Sequence, residues 1–335
     1  MLDVAIIGAG PTGLACAIEA QRAGLQCRVF DKGSIADSIR RFPVNMTFFS
    51  TPEQLELGGI PFTTPNLRPT RTEALQYYRL VAQRLAIPLQ LYTRIERVVP
   101  ADGAFLVQSN RGQWQARTVI IATGYFDNTN RLGVEGEDLP HVRHYYTEPF
   151  EYSGTRVLVV GGKNSAVETA LDLWRHGAEV TLVHRRDNLG ESVKYWLKPD
   201  IDNRIRNGEI AAHFSTVVRR IEECRVLLEH TSDGKTWWHE CDFVLLQIGY
   251  RPDAELLERC GIELDRQTLI PHCNPETFET NVPGIFVAGS VMCGCQTWNI
   301  FIENGRAHAR PIVASILQRL RASVRSVEAR PTSHA

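Results

Sequence analysis

Val4-Ala5-Ile6-Ile7-Gly8-Ala9-Gly10-Pro11-Thr12-Gly13 stands near the start of the chain, and Leu14-Ala15-Cys16-Ala17-Ile18 follows it. An apolar run breaks into glycines and resumes with small residues at helical spacing. The pattern predicts a strand, a tight turn and a helix. Gly8 permits the turn, Gly10 lets a pyrophosphate approach the backbone, and Gly13 lets the helix pack close on the strand. Free amides at the helix N-terminus, around Pro11 and Thr12, would face the phosphates. The next strand, Cys27-Arg28-Val29-Phe30, ends in Asp31, 23 residues beyond Gly8. That is about the spacing of the acid that holds ribose hydroxyls in a dinucleotide fold.

The same design recurs. Arg156–Val160 is apolar, Gly161-Gly162-Lys163-Asn164-Ser165-Ala166 follows, and a helix is expected from Val167 to about His176. A strand over Glu179–Val183 then ends in His184-Arg185-Arg186, with His184 again 23 residues beyond the first glycine. The two copies differ in charge where the second strand ends. An acid there repels a 2′-phosphate, whereas a guanidinium binds it through a fork of charge-assisted hydrogen bonds. The first copy is expected to hold an adenosine with a free ribose diol, the second NADP(H). Lys163 replaces the middle glycine, and its side chain is expected beside the pyrophosphate.

Composition fits a globular protein of two domains: 335 residues, 43% hydrophobic and 22% charged. A formal net charge of −1 supplies no field for nucleic acid or an anionic membrane. No apolar run approaches the ~18 residues of a membrane span, and no export signal is read at the start. None of the eight cysteines forms a Cys-x-x-Cys pair. Free thiols in a reducing cytoplasm are expected, and no metal site.

Between the copies, Pro43 to Pro69 is too long for a bland connector: it either wraps the cofactor or makes a surface excursion on aromatic anchors. A helix follows, capped by Thr70 or Thr72. Strands over Thr93–Val99, Ala104–Ser109 and Gln113–Arg117 read as a β-meander, and Thr118 to Gly124 as a separate buried strand. A second meander occupies Thr216–Ile221, Arg225–His230 and Trp237–Glu240. Asn188–Ile210 reads as irregular. Gln247-Ile248-Gly249-Tyr250 mirrors Ala122-Thr123-Gly124. After a strand ending in Ala288-Gly289-Ser290, a helix is expected from about Asn299, kinked at Pro311. The fold expected is α/β: two Rossmann-like domains with β-meander insertions. Residues 1–123 and 251–335 would form the first, with 124–250 inserted as the second.

These features resemble the two-dinucleotide-domain flavoproteins that include thioredoxin reductase. A closer resemblance is to the YpdA-type bacillithiol disulfide reductases. It rests on Thr47-Phe48-Phe49-Ser50, Pro61-Phe62, Tyr77-Tyr78-Arg79, Ala122-Thr123-Gly124-Tyr125, Gly161–Ala166, Trp196, Ile248-Gly249-Tyr250 and Ile300-Phe301-Ile302-Glu303-Asn304-Gly305. The resemblance implies FAD on the first domain, with Lys32, Phe49, Thr123, Gly124, Gly289, Ser290 and Asn299 joining the glycine turn and Asp31. It implies NADPH on the inserted domain, with Gly249 and Tyr250 joining Gly161–Ala166 and His184–Arg186. It further implies reduction of a low-molecular-weight disulfide, a part in thiol redox homeostasis and a homo-oligomer. Some relatives carry cysteine where this chain has Thr12, and Ser290 stands where many superfamily members place an acid.

The flavin chemistry leaves alternatives. Without Cys-x-x-Cys in the second domain, a thioredoxin-type dithiol relay is not expected. Cys293-Gly294-Cys295 is either a redox pair or two unpaired thiols in a loop, and one intervening residue strains a disulfide. His144 is either a linker residue or a catalytic one. A flavin monooxygenase and a ferredoxin–NADP reductase of thioredoxin-reductase type would share both folds.

Overall fold

The opening stretch forms the centre of the first sheet. Strand β1 (Leu2–Ile7) is followed by helix α1 (Pro11–Arg22) and β2 (Cys27–Phe30). Val4 to Ile7 are buried on both faces, which is why the run is continuously apolar rather than alternating. Pro11 takes the first helical position, where a missing N–H forfeits nothing. Ala15, Ala17 and Ala20 let α1 lie close to the sheet. Gly24, at φ +73°, ends it by donating to Gln21, while Leu25 donates to Ala20. With β3 (Leu89–Gln90), β4 (Ile95–Ala101), β5 (Ala104–Ser109) and β6 (Gly112–Ile121), the strand order is β3-β2-β1-β6-β5-β4. Strand Ile285–Val287 pairs in parallel with β6.

The computed structural model describes residues 1–190 and 193–328. It divides into two units by packing. One holds Met1–Arg40, Met46–Asn128 and the chain from Tyr250 onward; the other holds Arg41–Asn45 and Thr129–Gly249. The second unit repeats the first: Arg156–Val160, helix Asn164–Arg175 and Glu179–Val183. Its sheet order is Ala211–His213, Glu179–Val183, Arg156–Val160, Phe243–Leu246, Val142–Arg143, all parallel. The antiparallel meander Thr216–Glu222, Arg225–His230, Thr236–Glu240 is inserted before Phe243. The α/β expectation therefore holds, and no helix among the described residues is long and apolar enough to cross a membrane.

Three local expectations need correction. Gln113–Arg117 and the run from Thr118 are one strand, β6. Its first half alternates exposed and covered residues against β5, and its second half is buried between β1 and Ile285–Val287. The change of pattern marks a change of burial, not a break. Asn188–Ile210 contains a helix, Lys198–Arg206, started by Pro199 in its first turn. The helix expected from Asn299 is broken into Ile302–Gly305, a 3-10 turn Arg306–His308 and Ala309–Glu328. Pro311 thus falls in the first turn of the last piece, where its ring has no preceding turn of that helix to strike.

Candidate functional site

The glycine turn of the first unit is built by contact. Gly8 adopts φ +113°, and a Cβ there would lie 2.4 Å from the Ala122 carbonyl oxygen. A Cβ on Gly13 would lie 1.9 Å from the Gly8 oxygen, so α1 touches the turn backbone to backbone. Gly10 is different: a Cβ there would meet nothing within 4 Å. Its open face lies at the N-terminus of α1, where amides lack intrahelical partners. Asp31 ties the turn together, accepting from the Ala9 amide at 2.6 Å and the Gly33 amide at 2.7 Å. Burial pushes the Asp31 carboxyl up, and those two amides pull it back. Lys32 pairs with Asp127 at 2.8 Å.

Several other residues implied by the resemblance lie just beyond the end of β6. The Thr123 hydroxyl is buried with no partner among the described residues. A Cβ on Gly124 would lie 3.3 Å from Ser290 Oγ, and one on Gly289 2.6 Å from Thr12 Oγ1. Thr12 therefore packs against the Gly289 turn. Phe49 meets Phe301 edge-on at 5.3 Å. Asn299 lies outside any helix; its side chain donates to Gln296 and its carbonyl accepts from Asn304. Tyr250 belongs to the first unit rather than to the second with which the sequence grouped it, and it packs on Phe126 at 4.6 Å.

The second unit reproduces the turn. Gly161 has φ +149°, and a Cβ there would lie 2.4 Å from the Gln247 oxygen, as at Gly8 and Ala122. Gly161 N–H donates to Val183 at 3.0 Å, as Gly8 does to Phe30 at 2.7 Å. Gly162 makes room for a side chain: its Cβ would stand 2.2 Å from the His184 ring. Lys163 is exposed at the N-cap of the helix, followed by Asn164 and an exposed Ser165, while Ala166 is buried. Asn164 Oδ1 accepts the Lys194 amide at 2.8 Å. Arg185 and Arg186 are exposed, and neither guanidinium makes an ion pair among the described residues. Burial, then Arg186 and Arg185, lower the Lys163 and His184 pKa values. This is a cluster of cations beside a helix N-terminus, suited to phosphate. Gly249 accepts the Asn130 amide at 3.0 Å.

All eight cysteines are free. Cys293 is buried with its thiol pushed up, and its Sγ lies 3.9 Å from the Ile300 oxygen. The Cys295 amide donates to Thr268. Cys16 is fully buried and pushed up to about 12, which removes it as a nucleophile at neutral pH. His144 lies in the second unit, 3.9 Å from Glu137 and 3.5 Å from Arg131, and burial lowers its pKa. Glu137 in turn holds the Leu132 and Gly133 amides, so His144 sits in a polar knot that shapes a loop.

Sequence reasoning missed a second set of ties. Ser50 donates to Glu303, and Arg306 donates to the carbonyls of Glu56 and Glu53. Tyr125 OH donates to the Thr297 carbonyl at 3.2 Å. The bonds of Glu303 and Arg306 pin Ser50 to Glu56, with its short helix Pro52–Leu55, to the segment before the C-terminal helix. The Thr-Pro start at Thr51 was a readable signal for that helix, whereas the pairings across some 250 residues had none.

A family model described as "Pyridine nucleotide-disulphide oxidoreductase" matches residues 5–289. The bacilliredoxin reductase Bdr of Bacillus subtilis (strain 168) is 40% identical over 315 residues, 94% of this chain and 97% of that protein. Among solved structures, the bacillithiol disulfide reductase Bdr (YpdA) from Bacillus cereus is 39% identical with a TM-score of 0.92, covering 95% of this chain and 99% of that one. The Staphylococcus aureus counterpart is 35% identical with a TM-score of 0.91, covering 95% and 98%.

Proposed function

Because this chain belongs to the pyridine nucleotide-disulphide oxidoreductase family, in the company of the Bdr (YpdA) reductases, we propose that it is an NADPH-dependent FAD enzyme reducing a low-molecular-weight disulfide of the bacillithiol type. The net reaction is NADPH + H⁺ + RSSR → NADP⁺ + 2 RSH. The observation that carries the assignment of nucleotides is the pair of matching turns with opposite charge at their ends, Asp31 against Arg185 and Arg186.

The first unit fits FAD. Gly10 offers an open backbone face at a helix N-terminus, and the buried Thr123 hydroxyl lacks a partner among the described residues. Gly8, Gly10, Pro11, Thr12 and Gly13 would hold the pyrophosphate and Asp31 the ribose. Thr123, Gly124, Gly289 and Ser290 would line the rest, with Lys32, Phe49 and Asn299 at the margins. Bound there, the flavin supplies a two-electron carrier between nicotinamide and disulfide. Arg185 and Arg186 would fork the 2′-phosphate, with Lys163 adding charge and the His184 ring lying beside Gly162, near Gly161, Asn164, Ser165 and Ala166. The chain's own part is to bind and orient both nucleotides. Its cysteines do not suit a dithiol relay: Cys293 and Cys295 are unpaired and Cys293 is buried. The disulfide substrate would therefore be reduced without a protein dithiol relay. Action in a reducing cytoplasm, as a homo-oligomer, completes this reading.

The test is steady-state turnover with purified protein. Bacillithiol disulfide should accelerate NADPH oxidation, with two thiols appearing per NADPH. Oxidation that depends only on oxygen, or only on ferredoxin, would transfer the chain to the monooxygenase or ferredoxin reductase reading.

A further inference from the structure

His308 ends the 3-10 turn Arg306–His308 that leads into the C-terminal helix. Its Nδ1 accepts the Gly289 amide at 3.1 Å. Its ring stacks on Phe278, with centroids 4.4 Å apart and planes 17° from parallel. Phe278 is itself fixed, accepting from Val287 at 3.0 Å and donating to Asn274 at 2.8 Å. Gly289 opens the turn Gly289–Cys293 that carries Ser290. Its φ of +71° and its contact with Thr12 leave no room for a side chain. Gly305 approaches the same place: a Cβ there would lie 3.2 Å from Thr12 Oγ1 and 3.3 Å from Gly289 Cα. Three segments thus meet at Thr12: the glycine helix, the Ser290 turn and the segment before the C-terminal helix. The His308 ring ties the last two at Gly289 itself, while the Cys293 thiol joins them further along, at the Ile300 carbonyl.

A neutral imidazole has one donor and one acceptor nitrogen. The Gly289 bond requires a bare Nδ1, which puts the ring proton on Nε2. We propose that neutral His308 is a positioning residue for the Gly289–Ser290 turn, and that protonating its Nδ1 loosens the hold of the first unit on FAD. The proposal rests on the reading that this turn lines the flavin nucleotide. In the protonated ring both nitrogens are donors, so Nδ1–H opposes Gly289 N–H and the bond is lost.

The charged neighbours are engaged elsewhere. Glu279, next to Phe278, accepts from the Gly284 amide and pairs with Arg319. Arg306 reaches the Glu53 and Glu56 carbonyls, and Glu303 accepts from Ser50. Arg310 is exposed on the following helix, and the Cys293 thiol faces the Ile300 carbonyl. Burial is what lowers the His308 pKa from its ordinary value of 6.5. The sign follows: the contribution of the neutral ring is present above the unfolded pKa and is lost as pH falls through the folded one.

The test uses the FAD-loaded full-length protein with His308→Asn and His308→Phe. Asparagine supplies an acceptor oxygen near the Nδ1 position and does not titrate; phenylalanine keeps the stack and removes the acceptor. FAD release after dilution is followed by flavin fluorescence between about pH 5 and pH 8. Wild-type release should quicken by about tenfold toward acid, the size of one lost hydrogen bond. His308→Phe should release at the fast rate throughout, and His308→Asn at the slow rate. Nitrogen-15 NMR of the ring should show Nε2 protonated and Nδ1 bare near neutrality. A shared pH profile for all three proteins overturns the proposal, as does an Nδ1–H tautomer. If wild type binds no FAD, the cofactor reading fails by that result. The tautomer and the acid limb of thermal unfolding, wild type against His308→Asn, then decide the role of His308.

Discussion

Substituting alanine at Gly10 and at Gly13 separates what the glycine turn does for the fold from what it does for a nucleotide. At Gly13 the added Cβ would stand 1.9 Å from the Gly8 oxygen, roughly 1.5 Å inside ordinary contact. Both atoms belong to backbone, so α1 must lift off β1. Overpacking of this kind costs about 1–3 kcal/mol at a yielding site, and this site does not yield. Gly10 is the opposite case. Its φ of −73° and ψ of 175° suit any residue, including one that precedes proline, and nothing lies within 4 Å of the new Cβ. The weaker alanine cap and the stiffer unfolded chain offset each other to within about 1 kcal/mol. Gly10→Ala should therefore leave denaturant unfolding of the apoprotein almost unchanged. The same methyl would occupy the face where the pyrophosphate is expected, and FAD affinity should fall at least about tenfold. The assay pairs apoprotein unfolding with FAD binding by flavin fluorescence quenching. Wild-type FAD affinity in Gly10→Ala, or wild-type stability in Gly13→Ala, would refute the reasoning.

Other outcomes follow from single sites. Arg185→Ala with Arg186→Ala should raise the KM for NADPH at least about tenfold while moving that for NADH little, since a fork to the 2′-phosphate is charge-assisted; equal effects on both would remove the assignment. Cys293→Ser with Cys295→Ser should leave reoxidation of the reduced flavin by disulfide intact; its collapse would establish the pair as a relay. Glu73 closes a capping box with Thr70 and also accepts from Thr64, which together hold its pKa down to about 2. Because the folded pKa is depressed, its contribution is present above about pH 4.5 and fades as the pH falls toward 2. Glu73→Gln should cost about 1 kcal/mol near neutrality and converge on wild type in acid; a constant difference across that range would contradict the box.

The two turns were legible because their requirements are local. Gly8 and Gly161 need a positive φ, Gly13 needs contact with the strand, and Asp31 and His184 follow at a fixed distance. Each rule acts within some 25 residues. The helix at Arg71–Arg84 was legible for the same reason, with Thr70 or Thr72 as its cap; the structure uses Thr70, in a box with Glu73. What escaped was non-local or masked by composition. The unity of β6 was hidden because burial changes midway along it. Lys198–Arg206 was hidden by polar residues, although Pro199 marked its start. Arg306 on the Glu53 and Glu56 carbonyls, and His308 on the Gly289 amide, join residues that no spacing rule connects. The resemblance found the segment from Ile300 to Gly305 without saying what it holds. The structure adds that it anchors the Ser50–Glu56 stretch and meets Thr12. At Thr12, where the resemblance placed a cysteine in some relatives, the side chain packs against Gly289 and Gly305.

The most direct test of a flavin reductase fed by NADPH is anaerobic stopped flow on the purified holoprotein. NADPH should bleach the flavin absorbance, an equal concentration of NADH should do so far more slowly, and bacillithiol disulfide should restore it without oxygen. A flavin that stays oxidised with NADPH, or that bacillithiol disulfide leaves reduced, would contradict the proposed function.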